Sequence, residues 1–199
     1  MTRFAAGAAA VALCLLGACA SSPPMRFYTL AQIQPDTRLG APPGTVRVRI
    51  DRVTVAAELD RLQLVRRLDA TRLQISEADR WAAPLDEMIR RVLFADLAAR
   101  LPPNLVADSN APATAQGQQS LSVDIQEFYA DPSCSISLRA VWVLKSPAAA
   151  VIQGLEEVQV PPDGSCSGVT SQPGQMSRAL ATLTDRIAAA VVGSPAADH

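Results

Sequence analysis

Histidine is almost missing from this chain: the only one is His199, the last residue. That excludes a histidine-based triad, a zinc site of the usual kind and an imidazole acid–base pair built on a rigid element. The sequence also has no GxSxG, no glycine-rich phosphate loop and no CxxC. Lysine is reduced to Lys145, and the net charge is -1, so there is no electrostatic case for a nucleic-acid partner or an anionic membrane surface. No apolar run reaches the roughly 20 residues that a membrane-spanning helix needs. Carboxylates remain, among them Asp79, Asp86, Glu87, Asp124 and Glu127. Their spacing is that of helix caps and solvated strand faces rather than an acid–base pair. The chain reads as a non-enzyme with no cofactor and no metal site.

What is present begins at the N-terminus. Arg3 is a minimal basic region, Phe4 opens an apolar stretch that runs to Leu16, and the small residues Gly17 and Ala18 lead to Cys19. A bacterial lipoprotein signal has this form, with residues 1–18 removed and Cys19 carrying the acyl chains. An ordinary secretory signal and an anchor helix are the rival readings. Ala20 stands where sorted lipoproteins retained in the inner membrane carry Asp. By resemblance to those proteins, the expected location is the periplasmic face of the outer membrane, by a lipid anchor. Residues 19–24 would be a short tether, extending at most about 3.5 Å per residue. Residues 25–192 would then form one domain, followed by a flexible tail, 193–199.

Within that domain, period-2 alternation predicts strands near 26–30, 46–55, 121–125, 136–145 and 151–160, with a hairpin formed by 62–65 and 72–75. Between Ile50 and Val53 the alternation changes phase, which predicts a bulge near Asp51-Arg52. Pro84, Asp86 and Glu87 open a helix whose stripe includes Leu85, Met88, Ile89, Val92, Leu93 and Leu97 and which stops before Pro102-Pro103. A second helix over 175–192 carries Met176, Leu180, Leu183, Ile187 and Val191. The expected fold is α+β, a mainly antiparallel sheet with the two amphipathic helices packed on one face. A turn at 146–150 brings Cys134 towards Cys166 at the open end of its hairpin. An oxidising compartment permits a disulfide there.

Two surfaces are candidates for binding. Arg47, Arg49 and Arg52 could meet lipid phosphates or an acidic partner, or simply coat a strand and discourage edge pairing. Trp81, ahead of the first helix, could pack as a staple or touch a partner, whereas Trp142 belongs to the apolar face of its strand.

Four segments together resemble one family. They are Phe27-Tyr28-Thr29-Leu30 after the tether, the run Ser76-Glu77-Ala78-Asp79-Arg80-Trp81-Ala82-Ala83-Pro84-Leu85, then Leu97-Ala98-Ala99-Arg100-Leu101-Pro102, and Val123-Asp124-Ile125-Gln126-Glu127-Phe128. This set is similar to the PqiC-type auxiliary lipoproteins of ABC transport systems. The resemblance implies a non-catalytic periplasmic partner of an MCE-domain protein, an inner-membrane permease and an ATPase, in a system that moves lipids and maintains the outer membrane. It implies either a structural role or a partner surface for Asp79, Arg80 and Trp81, and it leaves a homo-oligomer open. An accessory adaptor is the first reading. A periplasmic carrier that holds an acyl chain between sheet and helices is the second.

Overall fold

The computed structural model describes residues 24–43, 45–107, 118–146, 151–162 and 169–193. The elements in chain order are β1 (Arg26–Tyr28), β2 (Arg47–Val55), β3 (Gln63–Arg67), β4 (Leu73–Trp81), α1 (Leu85–Arg100), β5 (Val106–Ala107), β6 (Gln118–Ala130), β7 (Ile136–Lys145), β8 (Ile152–Val160) and α2 (Gln172–Gly193). The signal segment, Cys19, the tail and Cys166 lie outside the described residues, as do most of the expected tether and the tip of the β7–β8 turn.

The fold is α+β, but the expectation of a mainly antiparallel sheet fails. The eight strands form one mixed sheet in which four of the seven pairings are parallel: β1 with β4, and β2 with β5, with β6 over its length, and β3 with the end of β6. The physical reason is the length of β6. Its first half pairs with β2 from Arg47 opposite Gln118 to Val55 opposite Ile125, while Ala130 at its far end meets Arg66 of β3. One flank of β6 is thus shared by two strands, and the sheet forks into β2–β5 and β3–β4–β1 branches. The other flank carries the long antiparallel β7 and β8, which follow the predicted hairpin closely.

The predicted bulge is present, between Ile50 and Arg52. One extra residue, Asp51, restores the phase: Val48, Ile50 and Val53 are all buried, while Arg47, Arg49, Arg52 and Thr54 line the other face opposite Gln118, Ser120, Ser122 and Asp124. A second bulge follows Ile125 in β6, so Phe128 and Ala130 turn inwards and Glu127 and Tyr129 turn to the open face.

Both helices cover one face, α1 over β2 and α2 over β7 and β8, and they touch each other. Pro84 caps α1 without a side-chain bond, and Asp86 and Glu87 in the first turn complement the positive end of its dipole. Leu101, in extended conformation before Pro102, ends it. The stripes read from the sequence face the core: Met88, Ile89, Leu93, Leu97, Leu180, Leu183 and Ile187 are all buried. Each such side chain contributes roughly 1.5–3 kcal/mol of burial. Trp142 lies flat over Gly154 on the neighbouring strand, where a Cβ would come within 2.6 Å of the indole. Only glycine leaves that room.

Candidate functional site

The Ser-Glu-Ala-Asp-Arg-Trp run does not precede the first helix as a capping loop. It is the second half of β4, and it is built as a wide bulge. Ile75 pairs with Val65 and Arg80 with Gln63, so four residues of β4 (76–79) stand against Leu64 alone. Ser76 stitches the bulge shut: its hydroxyl donates to Asp79 Oδ2 at 2.7 Å and accepts the Asp79 N–H at 3.0 Å.

The Asp79 carboxylate is the hub of the arrangement. It is 3 % exposed, yet it accepts from Arg26 Nε (2.7 Å), Arg26 Nη2 (3.1 Å) and the Tyr28 hydroxyl (3.1 Å) as well as from Ser76. Burial by itself would raise its pKa. The bonds from Arg26, Ser76 and Tyr28 outweigh that, and the carboxyl is held below its ordinary value. Both partners from β1 lie in a strand of three residues, and Arg26 sits directly opposite Asp79 in the parallel register. The carboxylate therefore buckles β1 to the body of the domain. Trp81, also buried, donates its backbone N–H to Leu62 O (2.6 Å), and the Ala82 backbone N–H donates to Tyr28 O (2.8 Å).

The residues expected at a partner surface lie in different parts of the domain. Asp79 and Trp81 are interior residues and work through packing and hydrogen bonding. Arg80 is half-buried on the opposite face of β4, with its Nε enclosed and unbonded. Arg47 is exposed and Arg49 is tied to Asp51 at 2.9 Å, both on β2, a strand that does not pair with β4. The five residues do not form one patch. Cys134 is buried in a turn closed by Asp131, at a φ of 64°, with Arg66 Nη2 3.5 Å from its sulfur. Its expected partner Cys166 lies outside the described residues.

Sequence reasoning missed a second polar cluster. The segment 31–39 lies along both helices: Ala31 N–H bonds Ser177 Oγ (3.1 Å), Ile33 N–H bonds Asp96 Oδ1 (3.0 Å) and Leu39 N–H bonds Arg100 O (2.7 Å). Arg100, buried, reaches Ile33 O and Asp185. The detectable signal was Asp96 and Arg100 falling on the apolar stripe of α1, beside Leu93 and Leu97. On the open face, Tyr129 donates to Glu58 at 2.8 Å beneath the Arg67 guanidinium, and burial together with that carboxylate pushes its pKa up to about 12.

An apolar cleft of about 310 Å³ opens between α1 and β2, lined by Ile50, Ala83, Met88 and Phe94, with Arg90 and Arg91 at its edge. Among the described residues no helix is long and apolar enough to cross a membrane.

Comparison with known proteins bears on the same elements. A family model described as "ABC-type transport auxiliary lipoprotein component" matches residues 28–188, from the end of β1 to the last turns of α2. The chain belongs to this family. Its members with curated names include the intermembrane transport lipoprotein PqiC of Escherichia coli (strain K12), 26% identical over 178 residues that cover 88% of this chain and 93% of that protein. PqiC of Shigella flexneri matches over the same shares. Among solved structures, an uncharacterized protein superposes with a TM-score of 0.71 at 19% identity, over 85% of this chain and 99% of the other. Protein XCC0632 from Xanthomonas campestris superposes with a TM-score of 0.65 at 16% identity, over 84% and 95%. Both structures share the fold. As a transport auxiliary lipoprotein, the chain is assigned to no enzyme class by its family.

Proposed function

We propose that this transport auxiliary lipoprotein is a lipid-anchored adaptor subunit of an MCE-type ABC lipid transport system, stationed at the periplasmic face of the outer membrane. The observation that carries the reading is the family match across nearly the whole described domain. The Asp79 buckle supports it. A domain tethered through Cys19 transmits any pull on its anchor first to β1, and β1 is where Arg26 and Tyr28 are fastened to a buried carboxylate. The partners under this reading are an MCE-domain periplasmic protein, an inner-membrane permease and an ATPase, with hydrolysis done by the ATPase. Replacing Cys19 with Ala is expected to release the domain from membranes and to sensitise cells to detergent. Crosslinking and pull-down of the wild-type protein should recover the MCE component. Unchanged fractionation of the variant would defeat the anchoring, and recovery of no transporter subunit would defeat the adaptor role.

Among the described residues, the apolar cleft between α1 and β2 favours the second reading, a lipid carrier. Its volume of about 310 Å³ lies at the low end of the roughly 300–1,000 Å³ of small-molecule sites, too little to enclose a two-chain lipid. Phospholipid retained in native mass spectra would support carriage nonetheless.

A disulfide between Cys134 and Cys166 belongs to the same proposal. The β7–β8 register ends with Ile136 opposite Val160, so in sequence Cys134 and Cys166 lie two and six residues beyond the last pair of the hairpin. Such a bridge would stabilise the fold by roughly 3–4 kcal/mol in the chain-entropy account. Peptide mapping without reductant should recover the linked pair, and free thiols at both positions would refute it.

A further inference from the structure

Among the described residues, five of the eight large apolar side chains that the fold leaves in solvent gather in one region, the other three being Leu62, Val151 and Leu155. Phe27 (64 % exposed), Met25 (55 %) and Ile75 (46 %) lie on β1 and β4 or beside them, and Leu73 and Leu68 flank the turn of the β3–β4 hairpin. The register puts most of them on one side: Phe27 stands opposite Arg80, Arg80 opposite Gln63, Ile75 opposite Val65, and Leu73 opposite Arg67. Residues paired in this way share a face of the sheet. It is the face away from the helices, because Arg67 stacks on Tyr129 and pairs with Glu127 there. Exposed apolar side chains grouped on one face, with Arg67 and Arg80 among them, mark an interaction surface.

The direction of the chain says what it meets. β1 is parallel to β4, with Arg26 beside Asp79, so the chain before Arg26 is aimed back along β4 towards the hairpin turn. Cys19 is seven residues before Arg26, a reach of at most about 25 Å at 3.3–3.6 Å per residue. Because of the bulge, β4 from Arg80 to Leu73 spans only the four residues from Gln63 to Arg67 of β3, about 13 Å, so that reach extends past the turn. A lipid on Cys19 therefore holds the bilayer within reach of this edge of the sheet, where β1 and β4 lie.

We propose that the open face of the β1–β4–β3 edge, through Leu73 and Ile75 near the hairpin turn, Leu68 at it, and Met25 and Phe27 beside β4, is a second membrane contact that rests in the interface of the bilayer holding the anchor. The contact fixes the orientation of the domain and leaves the β7–β8 side and the helices facing the periplasm. It rests on the lipidation of Cys19, and the test separates the two. The lipidated full-length protein, carrying Ile75→Trp or, as a control on the far edge strand, Leu155→Trp, is reconstituted into vesicles of phosphatidylethanolamine and phosphatidylglycerol with brominated acyl chains. Trp81 and Trp142 are buried and give the background. The new indole at 75 should lose roughly half its emission relative to unbrominated vesicles, because an interfacial side chain sits about 5–10 Å into the headgroup–acyl boundary. The indole at 155 should lose almost none. Equal quenching at both positions, or none at 75 in protein that floats with the vesicles, would overturn the contact while the anchor stands. Shielding of position 75 by a second copy, seen as self-association that persists in detergent, would overturn it too. Protein that fails to float would remove the anchor, and the contact with it.

Discussion

Two aspartates are buried to nearly the same degree in this domain, and they behave in opposite ways. Asp79 in β4 collects hydrogen bonds from Arg26, Tyr28 and Ser76, and its pKa is depressed. Asp96 in α1 is 0 % exposed and receives one backbone N–H, from Ile33. Arg100 stands 3.6 Å from the same oxygen, and the second oxygen has no hydrogen-bond partner. Burial dominates there, Asp185 adds repulsion, and the pKa is raised to about 6. Burial sets the cost of a charge in both places. The number of donors aimed at it decides whether that cost is covered. The well-served carboxylate holds β1, and the poorly served one holds the segment that crosses the helices.

Removing the well-served carboxylate should have the largest effect. Asp79→Ala takes away the acceptor shared by three side chains and leaves the Ser76 and Tyr28 hydroxyls short of a partner in a half-dry site. A loss of roughly 2–4 kcal/mol is expected from the urea midpoint, read at constant m-value. Amide exchange should rise first in β1. A loss below 1 kcal/mol would mean that β1 is held by its backbone pairing alone.

Asp96 should respond in the other direction. Its folded pKa lies above the unfolded value of about 3.8, so between pH 4 and 6 the native chain keeps a proton that the unfolded chain has released. Stability should therefore fall as pH rises through that window, at up to about 1.4 kcal/mol per unit of pKa difference. Asp79, depressed, titrates below the window and works with the opposite sign: its contribution is complete above pH 4 and is lost only in stronger acid. Asp96→Asn keeps an oxygen for the Ile33 N–H and removes the charge. The variant should be more stable than the parent at pH 7, equal to it near pH 4, and flat between. A parallel pH profile in both proteins would contradict the assignment.

The smallest effect is Tyr28→Phe, which deletes one of the bonds to Asp79 and keeps the ring. A loss of about 1 kcal/mol is expected, with the Asp79 titration moving up towards its ordinary value by NMR. No change in that titration would take Tyr28 out of the hub.

Much of this arrangement is legible in the sequence, and the boundary follows from range. Both helices, β7, β8 and the bulge at Asp51 are written in local periodicity, which needs only the next few side chains. The parallel pairings of β1 with β4 and β2 with β6 are not, because alternation says which face a strand buries and nothing about its neighbour. That is why a forked mixed sheet was read as mainly antiparallel. The hub at Asp79 is not legible for a related reason: Ser-x-x-Asp ahead of Pro84 has the spacing of a helix cap as well. The same spacing closes a bulge when the strand continues, and only the long-range partners Arg26 and Tyr28 distinguish the two. Asp96 and Arg100, on the inner stripe of α1, were visible as an exception to the pattern and went unread.

The most direct measurement is the mass of the N-terminal peptide of protein extracted from native membranes. The account predicts a chain that begins at Cys19 and carries acyl groups, recovered from the membrane fraction alone. A chain with an unmodified N-terminus, found free in the soluble periplasmic fraction, would contradict it.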